Sequence, residues 1–329
     1  MRSKTTTGLL VAVSASLAFG LSGTLAKPLL EIGWSPAAAV TARSIIGGAA
    51  LAVPALIALR GRWSLVWQGR TRILLMALVG VAATQLAYYA AVQRIPVSTA
   101  ILVEYVAPVL LVLLGWATTR RMPRALVLGG SVVAMVGLSL VVSPAGGALD
   151  VLGLTFAAIA AVGCAVYYLV AGRPSEGLPP VVLASAGLLI GGIALGVVGL
   201  TGLVPFTVAF GDVDVAGAAL PWWIPLLVLG VLSTGFAYAA SIAGSELLGS
   251  QLASFAGLLE VVAAALYSWL LLGEALTPAQ ALGGLLILVG IALVKWEPRP
   301  RPALLEPEVP ALDPEDQTDV SGRAIASTS

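Results

Sequence analysis

The chain has 329 residues, of which 59% are hydrophobic and 10% charged, and its mean hydropathy is +1.02. So little polar surface cannot clothe a water-soluble globule, in which about a quarter of residues are charged, and the chain reads as an integral membrane protein. A net charge of +1 offers no field for nucleic acid, the lone Cys164 permits no internal disulfide, and the absence of histidine removes the commonest general base and metal ligand.

A membrane span needs about 20 mainly apolar residues. The runs that qualify are 8–26, 37–59, 73–93, 98–118, 125–143, 152–171, 181–203, 222–243, 250–272 and 279–296. The first follows MRSK and reads as a retained membrane helix rather than a signal peptide, because its core is long and a similar segment recurs deep in the chain. Proline, glycine and charge clusters such as GRWSLVWQGRTR, TRRMPR and GRPSEGLPP punctuate the runs. Residues 297–329 are rich in proline and acid and read as a disordered tail.

Lysine and arginine set the expected orientation. With the N-terminus in the cytoplasm, 14 basic residues fall inside and two, Lys27 and Arg94, outside, with Arg43 left within a span. Both termini are therefore expected in the cytoplasm of a multi-pass cell-membrane protein.

The halves resemble each other. LVGVAATQLAYYAAV from Leu78 matches VLGVLSTGFAYAASI from Val228, placing Gly80, Thr84, Ala87 and Tyr88 on Gly230, Thr234, Ala237 and Tyr238 at an offset of 150. Trp116 then matches Trp269, and MVGLSLV matches LVGIALV, at an offset of 153. The extra three residues are expected in a longer second loop, AGSELLGSQ. Five spans per half is an odd number, so the second copy enters the membrane from the opposite side. The expected fold is all-α, with ten transmembrane helices in two inverted five-helix repeats, 1–145 and 150–296. Such pairs present equivalent states to the two sides of a membrane around a site near the midplane.

Ionisable residues within spans are costly, about 2.5–3.5 kcal/mol on insertion scales, and usually face a polar interior. Three lie well inside: Arg43, Glu104 and Glu260. Arg43 and Glu104 each fall about 10 Å below the same face, so they can meet. They are read either as a structural ion pair or as the wall of a vestibule in which Arg43 receives an anionic group. Glu260 falls about 15 Å along its span, near the midplane, with no second charge expected at that depth. It is read either as a neutral carboxyl hydrogen-bonded to a neighbouring helix or as a site that exchanges a proton or holds an amine. Gly80, Thr84 and Tyr88 share one helical face, Gly230, Thr234 and Tyr238 repeat it, and Gln85 and Tyr89 broaden it in the first half. Cavity lining by Thr84, Gln85, Tyr88, Thr234 and Tyr238 competes here with plain helix packing. The small-residue pairs Gly187/Gly191 and Gly192/Gly196 suit close packing, including against a second copy of the chain in a homodimer.

No phosphate-binding GxxxxGK[ST], HExxH or GxSxG occurs, and no Asp/Glu cluster of metal-ligand spacing lies in a span. No catalytic residue, metal or cofactor is therefore assigned, and the expected partners are a small-molecule substrate and the bilayer.

These residues resemble the drug/metabolite transporter superfamily, in its ten-span form built from two EamA domains. The resemblance rests chiefly on LLEVVAAALYSWLLLGEALTPAQALGGLLILVGIALVKW, with its mid-span carboxylate, its Leu272-Gly273-Glu274 exit and its glycines Gly283, Gly284 and Gly290. YVAPVLLVLLGW through MVGLSLVV resembles the first-domain counterpart, Arg43 suits the pattern, and the likeness covers residues 8 to 296. Two positions depart from it: Val261 stands where the family often has proline, and Arg120-Arg121 replaces a Gly-Glu pair. Val261 implies a helix less easily kinked beside Glu260. The resemblance implies a secondary transporter that exports or exchanges small metabolites, amino acids or drug-like compounds, rather than an enzyme. Rival readings are an intramembrane enzyme acting on lipid through Glu260 and Arg43, and a non-transporting sensor or assembly subunit.

Overall fold

The computed structural model describes residues 2–142, 150–174, 177–215, 217–273, 275 and 277–296. The connection 143–149, Glu274 and the tail from 297 lie outside the described residues. Among the described residues, ten helices are long and apolar enough to cross a membrane. They are Lys4–Glu31, Pro36–Leu59, Arg70–Val92, Thr99–Thr119, Ala125–Val142, Val151–Ala171, Pro180–Leu200, Trp223–Leu248, Ser250–Leu271 and Pro278–Lys295. The chain is an all-α multi-pass membrane protein, and these are its first to tenth spans.

Two ends differ from the sequence expectation. The first helix runs on to Glu31 through Pro28. Its last turns are held by burial, because Leu25 and Leu29 pack with Trp34, Val213 and Leu226. The AGSELLGSQ segment is not a loop: the eighth span continues as helix to Leu248 and only Gly249 separates it from the next helix at Ser250. In the first half, the equivalent helix stops at Val92 and residues 93–96 form the connector. The second copy thus has six more helical residues and three fewer in its connector, which accounts for the change of offset. Gly249 makes the turn alone at φ 80°, a left-handed conformation that a side chain disfavours.

Residues 204–221, which no apolar run claims, carry a short hairpin, β1 (Asp212–Val215) and β2 (Ala218–Pro221), with Asp212 opposite Pro221. Its approach strap closes over the turn between the first two spans. The Trp34 indole donates to the Ala209 carbonyl at 2.6 Å, and the Ser35 hydroxyl accepts the Thr207 N–H at 3.0 Å.

The halves interlock. The first span packs against the eighth and ninth, and the sixth packs against the third and fourth, so each half lends its first helix to the other. The second span lies on the seventh, and the fifth on the tenth. Glycine sets the last contact. A methyl group at Gly137 would stand 2.6 Å from the Gly283 carbonyl oxygen, and one at Gly290 would stand 2.7 Å from that of Gly130. Gly130 facing Gly290 while Gly137 faces Gly283 makes the two helices antiparallel. At the 153 offset, Gly130 is the counterpart of Gly283 and Gly137 of Gly290, so exchanging the halves maps this contact onto itself. That is the signature of an inverted repeat.

A second shared feature lies in the third and eighth spans, which each contain π-helical turns, Leu75–Ala83 and Val231–Phe236. The Thr84 hydroxyl donates to the Val79 carbonyl at 2.7 Å, and Thr234 donates to Leu229 at 2.9 Å. Both bonds reach back five residues, and both pairs obey the offset of 150. The glycine pairs of the seventh span are used within the chain. Gly187 meets Met76, Gly191 meets Ala77 and Val81, Gly192 meets Ser44 and Ile45, and Gly196 meets Thr41.

Candidate functional site

The fourth and ninth spans are broken helices. The fourth is helical over Val97–Glu104 and again over Ala107–Thr119; the ninth over Ser250–Gly257 and again over Leu259–Leu272. At the first break the Val106 N–H turns back to the Val103 carbonyl, and at the second the Leu258 N–H turns to Phe255, three residues away in each case. The 153 offset aligns Ala107-Pro108 with Glu260-Val261. Pro108 accounts for the first break, since it lacks an N–H and crowds the preceding turn.

The second break corrects the expectation drawn from Val261, because the helix is interrupted there without proline. Gly257 provides the room. A Cβ on it would run into the Tyr168 hydroxyl of the sixth span. The break leaves Glu260 in the first turn of the second half-helix, the end at which the helix dipole favours an anion.

Between the two breaks lies a cavity of about 120 Å³, room for several water molecules or a small polar group. It is lined by both halves: Phe19, Ser22, Arg43, Gly80, Thr84, Gln85, Glu104 and Tyr105 from the first, and Cys164, Tyr167, Tyr168, Tyr238 and Glu260 from the second. Arg43, Glu104 and Glu260 therefore share one chamber. This corrects the expectation that Glu260 sits at a depth with no other charge. Counting residues along straight helices separates the three groups by a few ångströms, whereas long side chains on two broken helices converge.

Arg43 is not locked in a structural pair. Among the described residues no ion pair joins it to either carboxylate, and its buried Nε has no hydrogen-bond partner. Tyr105, at the break of the fourth span, lines the same cavity as Glu260. The aromatic wall is continuous, with Phe19 edge-on to Tyr238 at 5.2 Å and Tyr238 edge-on to Tyr167 at 5.6 Å.

Of the residues expected to line a cavity, Thr84, Gln85 and Tyr238 do so, while Tyr88 and Thr234 are not among its lining. Thr234 is fully buried and its hydroxyl is spent on Leu229. Tyr88 lies edge-on to Tyr89 and packs beside Ala91, Ile95 and Ala157. Thr84 and Tyr88 share one face of the α-helical segment Thr84–Val92, but Tyr88 stands a turn further along it, about 6 Å on, and is not in the lining. Sequence reasoning misses Phe19, Ser22, Tyr105, Cys164, Tyr167 and Tyr168. The available signals are a Tyr-Tyr pair in a span otherwise made, Phe156 apart, of small and aliphatic residues, and a tyrosine directly after Glu104.

The fold and the site agree with what the chain is similar to. The description of the EamA-like transporter family matches residues 6–143 and 151–296, five spans each. The chain belongs to the EamA-like transporter family. An "Uncharacterized transporter" of Archaeoglobus fulgidus is 28% identical over 217 residues, covering 65% of this chain and 72% of that one. The "Uncharacterized inner membrane transporter YicL" of Salmonella typhimurium is 27% identical over 234 residues, 70% of this chain and 74% of its own length. A solved crystal structure shares the fold with a TM-score of 0.70 at 21% identity, over 87% of this chain and 96% of that one. The EamA protein is thus a membrane transporter, with two family repeats closing around one charged cavity.

Proposed function

We propose that this protein is a secondary transporter that exports small amphoteric metabolites, amino acids or drug-like amines by alternating access, driven by proton exchange at Glu260. One observation carries the reading: an arginine with no ion pair among the described residues faces, with two carboxylates, one small chamber between two inverted halves. A charge removed from water without a partner is strongly disfavoured, so the chamber calls for ligand groups that complete it. An anionic group meets Arg43. An ammonium meets Glu104 or Glu260, flanked by aromatic faces that also attract cations.

Glu260 supplies the coupling. A carboxyl beside aromatic and aliphatic side chains is tolerated neutral when dry and ionises when water or a cation reaches it. Alternating access exposes it first to one side and then to the other, so a proton can enter where an amine leaves. Basic residues at the predicted inner ends support a cell-membrane protein with both termini in the cytoplasm. The family resemblance supports export.

The test is an uptake and counterflow screen in vesicles containing only this protein, across amino acids, amines and sugars, with and without a pH gradient. The expected result is gradient-dependent flux of solutes that carry an amino group, and none of sugars. Absence of flux for every solute with folded protein would return the chain to the sensor or assembly reading.

A further inference from the structure

Away from the cavity, Arg72 in the first turn of the third span inserts its guanidinium among the carbonyls at the end of the sixth and in the turn that follows it. Its Nε donates to Val170 at 3.1 Å, Nη2 to Arg173 at 3.0 Å and Nη1 to Pro174 at 3.3 Å. The same Nη2 reaches the Glu246 carboxylate at 3.0 Å, and the two side chains are only 12% and 15% exposed. One cation thus ties together the ends of three spans, the third, sixth and eighth. It also satisfies the orphan carbonyls of a helix C-terminus, where positive charge is favoured.

The same three spans line the cavity. Ile73, Met76, Val170 and Ile242 form a buried column with Tyr167 and Tyr238, and those two tyrosines are also cavity wall. The ion pair and the cavity therefore lie at two ends of one packed column. The internal duplication gives no ionic counterpart at the other end, because the 150 offset puts Trp222 at the place of Arg72 and Pro96 at that of Glu246. There, Arg94 and Asp150 join the third and sixth spans at 3.5 Å with side chains 47% and 40% exposed. An exposed pair of that kind contributes little, whereas breaking a desolvated one is costly.

We propose that Arg72 and Glu246 form the gate on their side of the membrane, and that the cavity opens to that side only when the pair parts. The proposal rests on the alternating-access reading, but its test needs no substrate. Cys164 is the chain's sole cysteine and lines the cavity, so its thiol reports access directly. A membrane-impermeant thiol reagent is applied from each side of oriented vesicles to the native protein, to Glu246→Gln and to Arg72→Gln. Glu246→Gln keeps the shape of the side chain and leaves the Arg72 carbonyl contacts in place.

Labelling of Cys164 from the Arg72 side should rise about tenfold or more in both variants, since a contact present only in the closed state sets the two-state population directly. Labelling from the opposite side should stay level or fall. If Arg72→Gln fails to fold, Glu246→Gln alone decides. Native-rate labelling of folded Glu246→Gln from the Arg72 side would overturn the gate. The flux screen, read separately, would still judge transport.

Discussion

Gly137→Ala tests how the two halves meet. The added methyl would stand 2.6 Å from the Gly283 carbonyl oxygen and 2.8 Å from the Ile287 nitrogen, backbone atoms that cannot rotate aside. Overpacking of this kind costs about 1–3 kcal/mol, and the helix preference of alanine over glycine returns about 1 kcal/mol. The net expectation is a loss of up to about 2 kcal/mol. Gly129 lies on the same helix with nothing within 4 Å of its hypothetical Cβ. Gly129→Ala keeps only the propensity gain and should be more stable by up to about 1 kcal/mol. Gly290→Ala should behave as Gly137→Ala does, because Ala134 and the Gly130 carbonyl stand 2.7 Å from its Cβ position. Unfolding midpoints in mixed detergent, followed by tryptophan fluorescence, give the comparison. Equal midpoints for Gly129→Ala and Gly137→Ala would refute the claim that backbone contact at the fifth and tenth spans joins the repeats.

Reporters placed after Trp296 and within the 143–149 connection should mark opposite faces of the membrane, and the same sidedness would remove the inversion. Arg43→Gln should insert and fold but lower flux of solutes bearing an anionic group by about tenfold or more, the worth of one charged hydrogen bond. A double variant with Arg43 and Glu104 both uncharged that transports at the native rate would take Arg43 out of the site. Thr84→Val and Thr234→Val should each cost about 1 kcal/mol by freeing a five-residue back-bond. Only Thr84→Val should also alter flux, since Thr84 lines the cavity and Thr234 does not; equal flux defects would contradict that division.

The ten spans are legible in the sequence because the bilayer sets a length that apolar runs must meet, and the duplication because glycine, threonine and tryptophan recur in register. The structure adds a cause for the glycines and threonines: a backbone crossing at Gly130, Gly137, Gly283 and Gly290, and a π-turn bond at Thr84 and Thr234. The hidden features depend on departures from ideal helices. Spacing gives the face of Tyr88 but not how far along the helix the cavity extends, and Tyr88 stands a turn beyond Thr84. A depth counted on straight rods sets Glu260 apart from Glu104, whereas both spans are broken. The hairpin lies in four-residue strands too short to leave a pattern, and the charge of Glu246 mimics a span boundary. Its partner Arg72 explains why the helix continues.

Glu260→Gln tests the central claim most directly, because it keeps shape and hydrogen bonding but cannot ionise. In one preparation of vesicles, uphill flux driven by a pH gradient is measured beside equilibrium exchange of the same solute. The variant should insert and fold, keep exchange, and lose gradient-driven accumulation. Accumulation by Glu260→Gln at the native rate would contradict the account and leave Glu260 as a structural residue of the cavity wall.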